Sequence, residues 1–246
     1  MAICITGGSS GIGRAIAERF ATEGNDVFVN FHTNDDAAAD TLTAIESRGA
    51  RCHLIKSDVG SPEGVRTLIE RVASRVERLD QLVHAAAYAV PGSLLTVGWQ
   101  ELNASVAVNG LALVSLVREA LPLLEAGSTV FYITSRGARA AIRDYGPLGV
   151  GKALGEHVVR HLAVEVAGRG VRVNSISPGA LDTAAFRSMF PDSWEKVLAG
   201  AARANPSGRA LEFDDVAGMV EMLARPEFSM VQGQTITVDG GLSLGA

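Results

Sequence analysis

Apolar runs of strand length alternate along this chain with segments of helical period, and that alternation limits the available folds more than any single motif. "AICIT" precedes "GRAIAERFATEG", "DVFVNF" precedes "DAAADTLTAIESRG", and "RCHLIKSDV" precedes "PEGVRTLIERVASRVERL". The rhythm continues through "DQLVHAAA", a long apolar helix near residues 97–125, "STVFYIT", a helix near 144–168, "VRVNSIS" and a final "QTITVDGG". Strands joined through helices run parallel, and runs apolar on both faces must be covered on both faces. The expectation is an α/β fold whose seven strands form a doubly wound parallel sheet with helices on both faces.

No linker, repeat or low-complexity segment interrupts the rhythm, so residues 1–246 are expected to form a single domain around one core; 47% of the chain is hydrophobic. The one long departure, about 179–212, carries "FRSMFPDSW" and no strand, which suits a helical flap that closes over the strand ends. A net charge of −5 without a block of like charges offers nothing to nucleic acid or to an acidic membrane surface, and small-molecule chemistry is favoured. Cys4 and Cys52 lie in strand-like runs and read as buried, inert thiols, which fits a reducing cytoplasm. "MAICITGG" has no basic leader character, no run approaches membrane-spanning length, and a soluble, cytoplasmic, unexported protein without a metal site is expected.

"TGGSSGIG" at 6–13 directly follows the first strand and opens the first helix. Gly7, Gly11 and Gly13 suit a tight turn, close approach to a pyrophosphate, and close packing of helix on strand. The helix start, with Ser9, Ser10 and Ile12, then faces phosphate. A carboxylate at the end of the second strand would bind a ribose 2′-hydroxyl and repel a 2′-phosphate, yet "VNFHTN" has none before Asp35, so NADPH is the expected cofactor. Positive charge for that phosphate is limited to His32 and Arg14. Asp58, followed by Val59 at the end of the third strand, is placed to accept from an adenine amino group, or else to form a turn before "SPEG".

"TGGSSGIG", "SDV", the asparagine of "VAVNG", the serine of "YITSRG", Lys152, "ISPGALDT" and "VDGG" together resemble the short-chain dehydrogenase/reductase superfamily, in order and across nearly the whole chain. The resemblance implies a Rossmann-type sheet, a nicotinamide cofactor and a homotetramer, paired through the two long apolar helices. It implies Asn109 as holder of a water in a proton relay, Ser135 as a polar group near the substrate, Lys152 as binder of the nicotinamide ribose and Thr183 as partner of the carboxamide. Ala85, Pro178 and Gly179 complete the implied cofactor contacts. "HAAA" at 84–87 departs from the family's usual two asparagines, alanine and glycine, so how the fourth strand is tied to its neighbours is open.

A second departure concerns the proton donor. The superfamily's tyrosine, four residues before the lysine, is here Leu148; Tyr145 stands seven before, in "YGPLGVGK". That spacing, the stretch from "GALDTAAFRSMF" onward and "GQTITVDGGLSL" are similar to the NADPH-dependent bacterial enoyl-acyl-carrier-protein reductases. In a 2-enoyl thioester, hydride goes to Cβ while charge develops on an oxygen three bonds away, so the donor must sit further out than for a ketone. Seven helical residues make about two turns and rise ~10.5 Å, which keeps Tyr145 on the Lys152 face but one turn beyond the usual position. Pro147 fits only a first helical turn, with Asp144 or Gly146 as cap.

The implied activity is reduction of the C=C bond of a 2-enoyl thioester, with Tyr145 stabilising the enolate oxygen and Lys152, through its charge, favouring the ionised tyrosine. Arg136, Arg139, Arg143 and Arg187 are rim candidates for docking an acyl carrier protein, and Tyr88 either lines the site or simply packs. Reduction of another conjugated or carbonyl compound of secondary metabolism, and a silent NADP-binding sensor or scaffold, are the alternatives.

Overall fold

The computed structural model describes residues 1–244. Its strands are β1 Ala2–Thr6, β2 Asp26–Phe31, β3 Arg51–Lys56, β4 Gln81–His84, β5 Thr129–Ile133, β6 Arg172–Pro178 and β7 Thr235–Val238. All pair in parallel in the order β3-β2-β1-β4-β5-β6-β7, the Rossmann-type arrangement. Because β1, β4, β5 and β6 are buried at every residue, their apolar character is continuous rather than alternating.

The helices are α1 Gly11–Arg19, α2 Asp35–Glu46, α3 Pro62–Ala73, α4 Trp99–Val106, α5 Ala112–Ala120, α6 Gly146–Glu165, α7 Ala184–Met189, α8 Trp194–Ala204 and α9 Phe213–Ala224. One face of the sheet packs Phe28, Leu82 and Tyr132 against Leu68, Leu116 and Val159 of α3, α5 and α6. The other packs Ile5, Val29 and Ile176 against Ile16, Ile45 and Val216 of α1, α2 and α9. Cys4 and Cys52 are buried free thiols, both pushed up to about 12 by burial.

Two features depart from the sequence expectations. A π-helical turn, Ala107–Leu111, joins α4 to α5, so a rod of 25 residues, Trp99–Leu123, is long and apolar enough by length and composition to cross a membrane, contrary to the expectation that no run is. It packs instead as a core helix, with Leu113, Leu116 and Val117 buried. α9 was not foreseen, although Asp215 accepting from the Glu212 amide at 2.8 Å marks its start and Val216, Val220 and Leu223 follow helical period. As expected, the segment 179–212 carries helices, α7 and α8, and no strand.

The open question at "HAAA" is answered by His84. Its ring is buried between the Thr6 hydroxyl, 2.7 Å from Nδ1, and the Val108 carbonyl, 2.9 Å from Nε2. A carbonyl can only accept, so Nε2 carries the proton and Nδ1 accepts from Thr6. The Ala86 amide donates in turn to Thr6 Oγ1 at 3.2 Å. One imidazole thus joins β1, β4 and the π-helical turn. Replacing His84 with Leu leaves Thr6 and Val108 unpaired in the core, and the melting temperature is expected to drop by roughly 5–10 °C; a thermal shift within 1 °C would remove this role.

Candidate active site

The carboxyl ends of the strands open on one crevice, as a doubly wound sheet requires where its strand order reverses between β1 and β4. Its lining includes Gly7, Ser9, Ser10, Gly11, Ile12 and Gly13 after β1, His32 after β2, Asp58 and Val59 after β3, and Ala85 after β4. Ser135 lies beyond β5; Tyr145, Leu148 and Lys152 come from the start of α6, and Pro178, Gly179 and Thr183 from the end of β6. The glycine turn has the shape of a phosphate cradle. Gly7 and Gly11 have φ of +62° and +52°, a Cβ on Gly7 would meet the Ala86 backbone at 2.8 Å, and Ser10, the residue before α1, makes no side-chain cap to its open amides. A dinucleotide fits these residues.

Other groups expected at the cofactor are partly engaged with the protein. Arg14 is held by Glu18 at 2.7 Å and does not line the crevice, which leaves His32 as the ionisable candidate for a 2′-phosphate. Asp35 pairs with Lys56 at 2.6 Å at the start of α2. Asp58 Oδ1 accepts from the Gly60 amide at 2.8 Å, so its carboxylate shapes a turn while lining the crevice. Thr183 Oγ1 accepts from the Phe186 amide at 3.0 Å as cap of α7, and its own proton stays available.

Tyr145, rather than Asp144 or Gly146, is the cap of α6, and the chain reaches it through Asp144 at φ +59°. Gly137 makes room for it: a Cβ there would overlap the Tyr145 ring. The Tyr145 hydroxyl donates to Ser135 Oγ at 3.0 Å. Leu148, 3% exposed, fills the position one turn before Lys152. Burial raises the Tyr145 pKa and the Ser135 hydrogen bond opposes it, so the phenol is protonated at neutral pH. Burial, rather than the Lys152 charge, sets the direction of the Tyr145 shift. Lys152 is buried, its Nζ donates to the Ile133 carbonyl at 2.7 Å, and desolvation lowers its pKa to about 7.

Asn109 lies in the π-helical turn and outside the crevice lining. Its amide donates to the carbonyls of Tyr88 and Ser105, both at 2.8 Å, and its own carbonyl accepts from the Tyr132 hydroxyl. The Tyr132 hydroxyl thus donates to the backbone carbonyl of the residue to which the resemblance assigns a relay water. Tyr132 was missed in the sequence, where "STVFYIT" reads as one more apolar strand. Tyr88 lines the crevice and is 46% exposed. Among the rim arginines, Arg187 is bound to Asp182 at 2.6 Å and stacks on Trp194, Arg139 lies 3.6 Å from Glu156, Arg143 is exposed and 3.5 Å from Asp144, and Arg136 is exposed.

The buried groups set a pH profile for stability. The folded chain binds a second proton on His84 only below about 3, and the unfolded chain below about 6.5, so stability rises with pH across that interval. Lys152, at about 7 when folded, gives a further rise toward the unfolded value near ~10.4, with a limiting slope of about 1.4 kcal/mol per pH unit. The two thiols act in the opposite sense, because the unfolded chain releases their protons above about 8.5. The apoprotein melting temperature should climb to about pH 8.5 and then fall, and Lys152→Met should erase the climb between about pH 7 and 8.5. A wild-type profile falling across that window would contradict the buried-ammonium account.

The sequence profile of the family described as Enoyl-(Acyl carrier protein) reductase matches residues 7–243. A 1-cyclohexenylcarbonyl-CoA reductase of Streptomyces collinus is 33% identical over 240 residues, 98% of this chain and 86% of that protein. A short-chain dehydrogenase of Burkholderia cenocepacia, solved in complex with NADP, superposes with a TM-score of 0.88 at 29% identity, over 98% of this chain and 97% of its own. An angucycline C-6 ketoreductase, LanV, solved with bound NADP, gives 0.88 at 30% identity over 99% and 96%. With the profile spanning residues 7–243, which hold six of the seven strands and the crevice lining, the chain belongs to the short-chain dehydrogenase/reductases, in the family described as enoyl-(acyl carrier protein) reductase.

Proposed function

We propose that this oxidoreductase uses NADPH to reduce the carbon–carbon double bond of a 2-enoyl thioester. The observation that carries the reading is the Tyr145–Ser135 hydroxyl pair beside a buried Leu148, which leaves the one-turn position without a proton donor. The similar reductase of Streptomyces collinus, named for an unsaturated acyl-CoA, supports the substrate class. NADP in two solved relatives, and a second strand that ends without a free carboxylate, support the cofactor.

A bound reduced nicotinamide would supply hydride, held by the glycine turn, by Thr183 and by Lys152. Ser135 accepts from Tyr145 and keeps its own proton, so both hydroxyls can turn onto one substrate oxygen. As hydride reaches Cβ, negative charge collects on the thioester oxygen, and the protonated Tyr145 stabilises it by donating. α7, with Phe186 and Met189 on the crevice, is the flap that would shield the acyl group from water. The exposed Arg136, and Arg143 beside Asp144 at 3.5 Å, are the most open rim positions for an acidic carrier protein. Leu111, Val150 and Val164, exposed along the long helices, support a homotetramer, and two buried free thiols suit the cytoplasm.

The same hydroxyl pair favours one second reading, carbonyl reduction, in which Tyr145 protonates a substrate alkoxide; the similarity to a ketoreductase supports it. NADPH oxidation with a short 2-enoyl thioester beside the matching β-ketoacyl thioester separates the two, and turnover of the ketone alone would replace the enoyl reading. Turnover of neither would favour a cofactor-binding sensor. On the substrate that turns over, Tyr145→Phe should lower kcat roughly a hundredfold while NADPH affinity holds, whereas retention of half the wild-type kcat would exclude Tyr145 as the donor. NADPH should bind more tightly than NADH in equilibrium titrations, and a tenfold preference for NADH would overturn the cofactor assignment.

A further inference from the structure

Lys152 is an ammonium at 4% exposure, and desolvation is the cause of its lowered pKa. A charge so placed needs compensation from the groups around it. The titratable side chains near it are His84 on β4, Tyr132 on β5, and Tyr145 and Glu156 at α6. His84 is neutral, Tyr145 is bonded to Ser135, and the Glu156 carboxylate is taken by Thr134 at 2.9 Å and Arg139 at 3.6 Å. What remains for the ammonium is the Ile133 carbonyl and the ring of Tyr132, whose centroid lies 5.0 Å from Nζ, within cation–π reach.

Tyr132 is fixed from several sides. It is fully buried, its ring stacks with His84 at a centroid distance of 5.7 Å, and its hydroxyl donates to the Asn109 carbonyl inside the π-helical turn. The ring fits only because residue 155, three positions past the lysine on α6, is glycine: a Cβ there would overlap the phenol. We propose that Tyr132 is a positioning residue for Lys152, its ring carrying the ammonium and its hydroxyl, anchored on Asn109, holding that ring in place and closing the space behind the lysine to water. The remaining Nζ protons are then directed to the crevice that Lys152 lines. Their use there rests on the NADPH reading above; the positioning does not.

Thermal melts of the apoprotein from pH 5.5 to 9.5 test the positioning without cofactor or turnover, so the proposal can fail while the NADPH reading stands, and the converse. In the wild type the Lys152-linked rise in stability starts near pH 7. Tyr132→Phe keeps the aromatic face, and its onset should stay in place. Tyr132→Leu removes the face, and its onset should move down by about one pH unit. Gly155→Ala displaces the ring with Tyr132 still present and should move the onset the same way, which decides the matter if the leucine variant does not fold. A purely structural tyrosine would lower the melting temperature equally at every pH. An onset unmoved in each of the two displacing variants that folds, or moved equally by Phe and Leu, overturns the proposal.

Discussion

An ammonium enclosed without a carboxylate is the constraint around which the catalytic half of this molecule is arranged. Lys152 sits on the buried face of α6, and the Ile133 carbonyl it reaches belongs to the last residue of β5, where the strand's own pairing ends. Desolvation weakens the charge, and an aromatic face beside it lessens the penalty. That solution has geometric consequences. The phenol needs Gly155 on one side and an acceptor for its hydroxyl on the other, and the acceptor lies in a π-helical turn, a type of irregularity frequent at functional sites. The same turn presents the Val108 carbonyl to His84. Sheet, π-helical turn and lysine are thus joined through two buried rings.

The substrate side follows a different logic. Tyr145 is the hinge between an irregular loop and α6, reached through a left-handed aspartate and seated against a glycine. Its phenol is buried and protonated, with Ser135 as the partner that orients it. A neutral donor of this kind suits an oxygen that gains charge at a distance from the hydride acceptor, because stabilisation by a fixed hydrogen bond does not need the proton to leave. Leu148 puts an apolar side chain one turn before Lys152, where a donor would serve a ketone oxygen next to the hydride-accepting carbon.

Much of this was legible in the chain. Continuous apolar runs separated by helical segments specify parallel strands, and the turn after β1 specifies the crevice, because both follow from local pattern and backbone sterics. The spacing of Tyr145 from Lys152 is likewise a property of one helix. The partners of Asp35 and of the rim arginines were not legible, since ion pairs such as Arg187 with Asp182 depend on loop geometry, whereas Arg14 with Glu18 is an ordinary pair one turn apart on α1. Tyr132 was hidden for a related reason. Within "STVFYIT" it is one apolar residue among several, and only the approach of α6 and the π-helical turn makes its ring and hydroxyl specific.

By itself, then, the sequence determined the parallel sheet, the phosphate-binding turn and the displacement of the tyrosine, because each is set by neighbours within a few residues. Only the tertiary structure decided the protonation of Tyr145, the weakened charge of Lys152 and the occupation of the Asn109 carbonyl by a side chain. Those depend on burial and on contacts between different segments, from Tyr145 with Ser135 at a separation of 10 to Tyr132 with Asn109 at 23. Local pattern carries no information about how much water such segments leave between them.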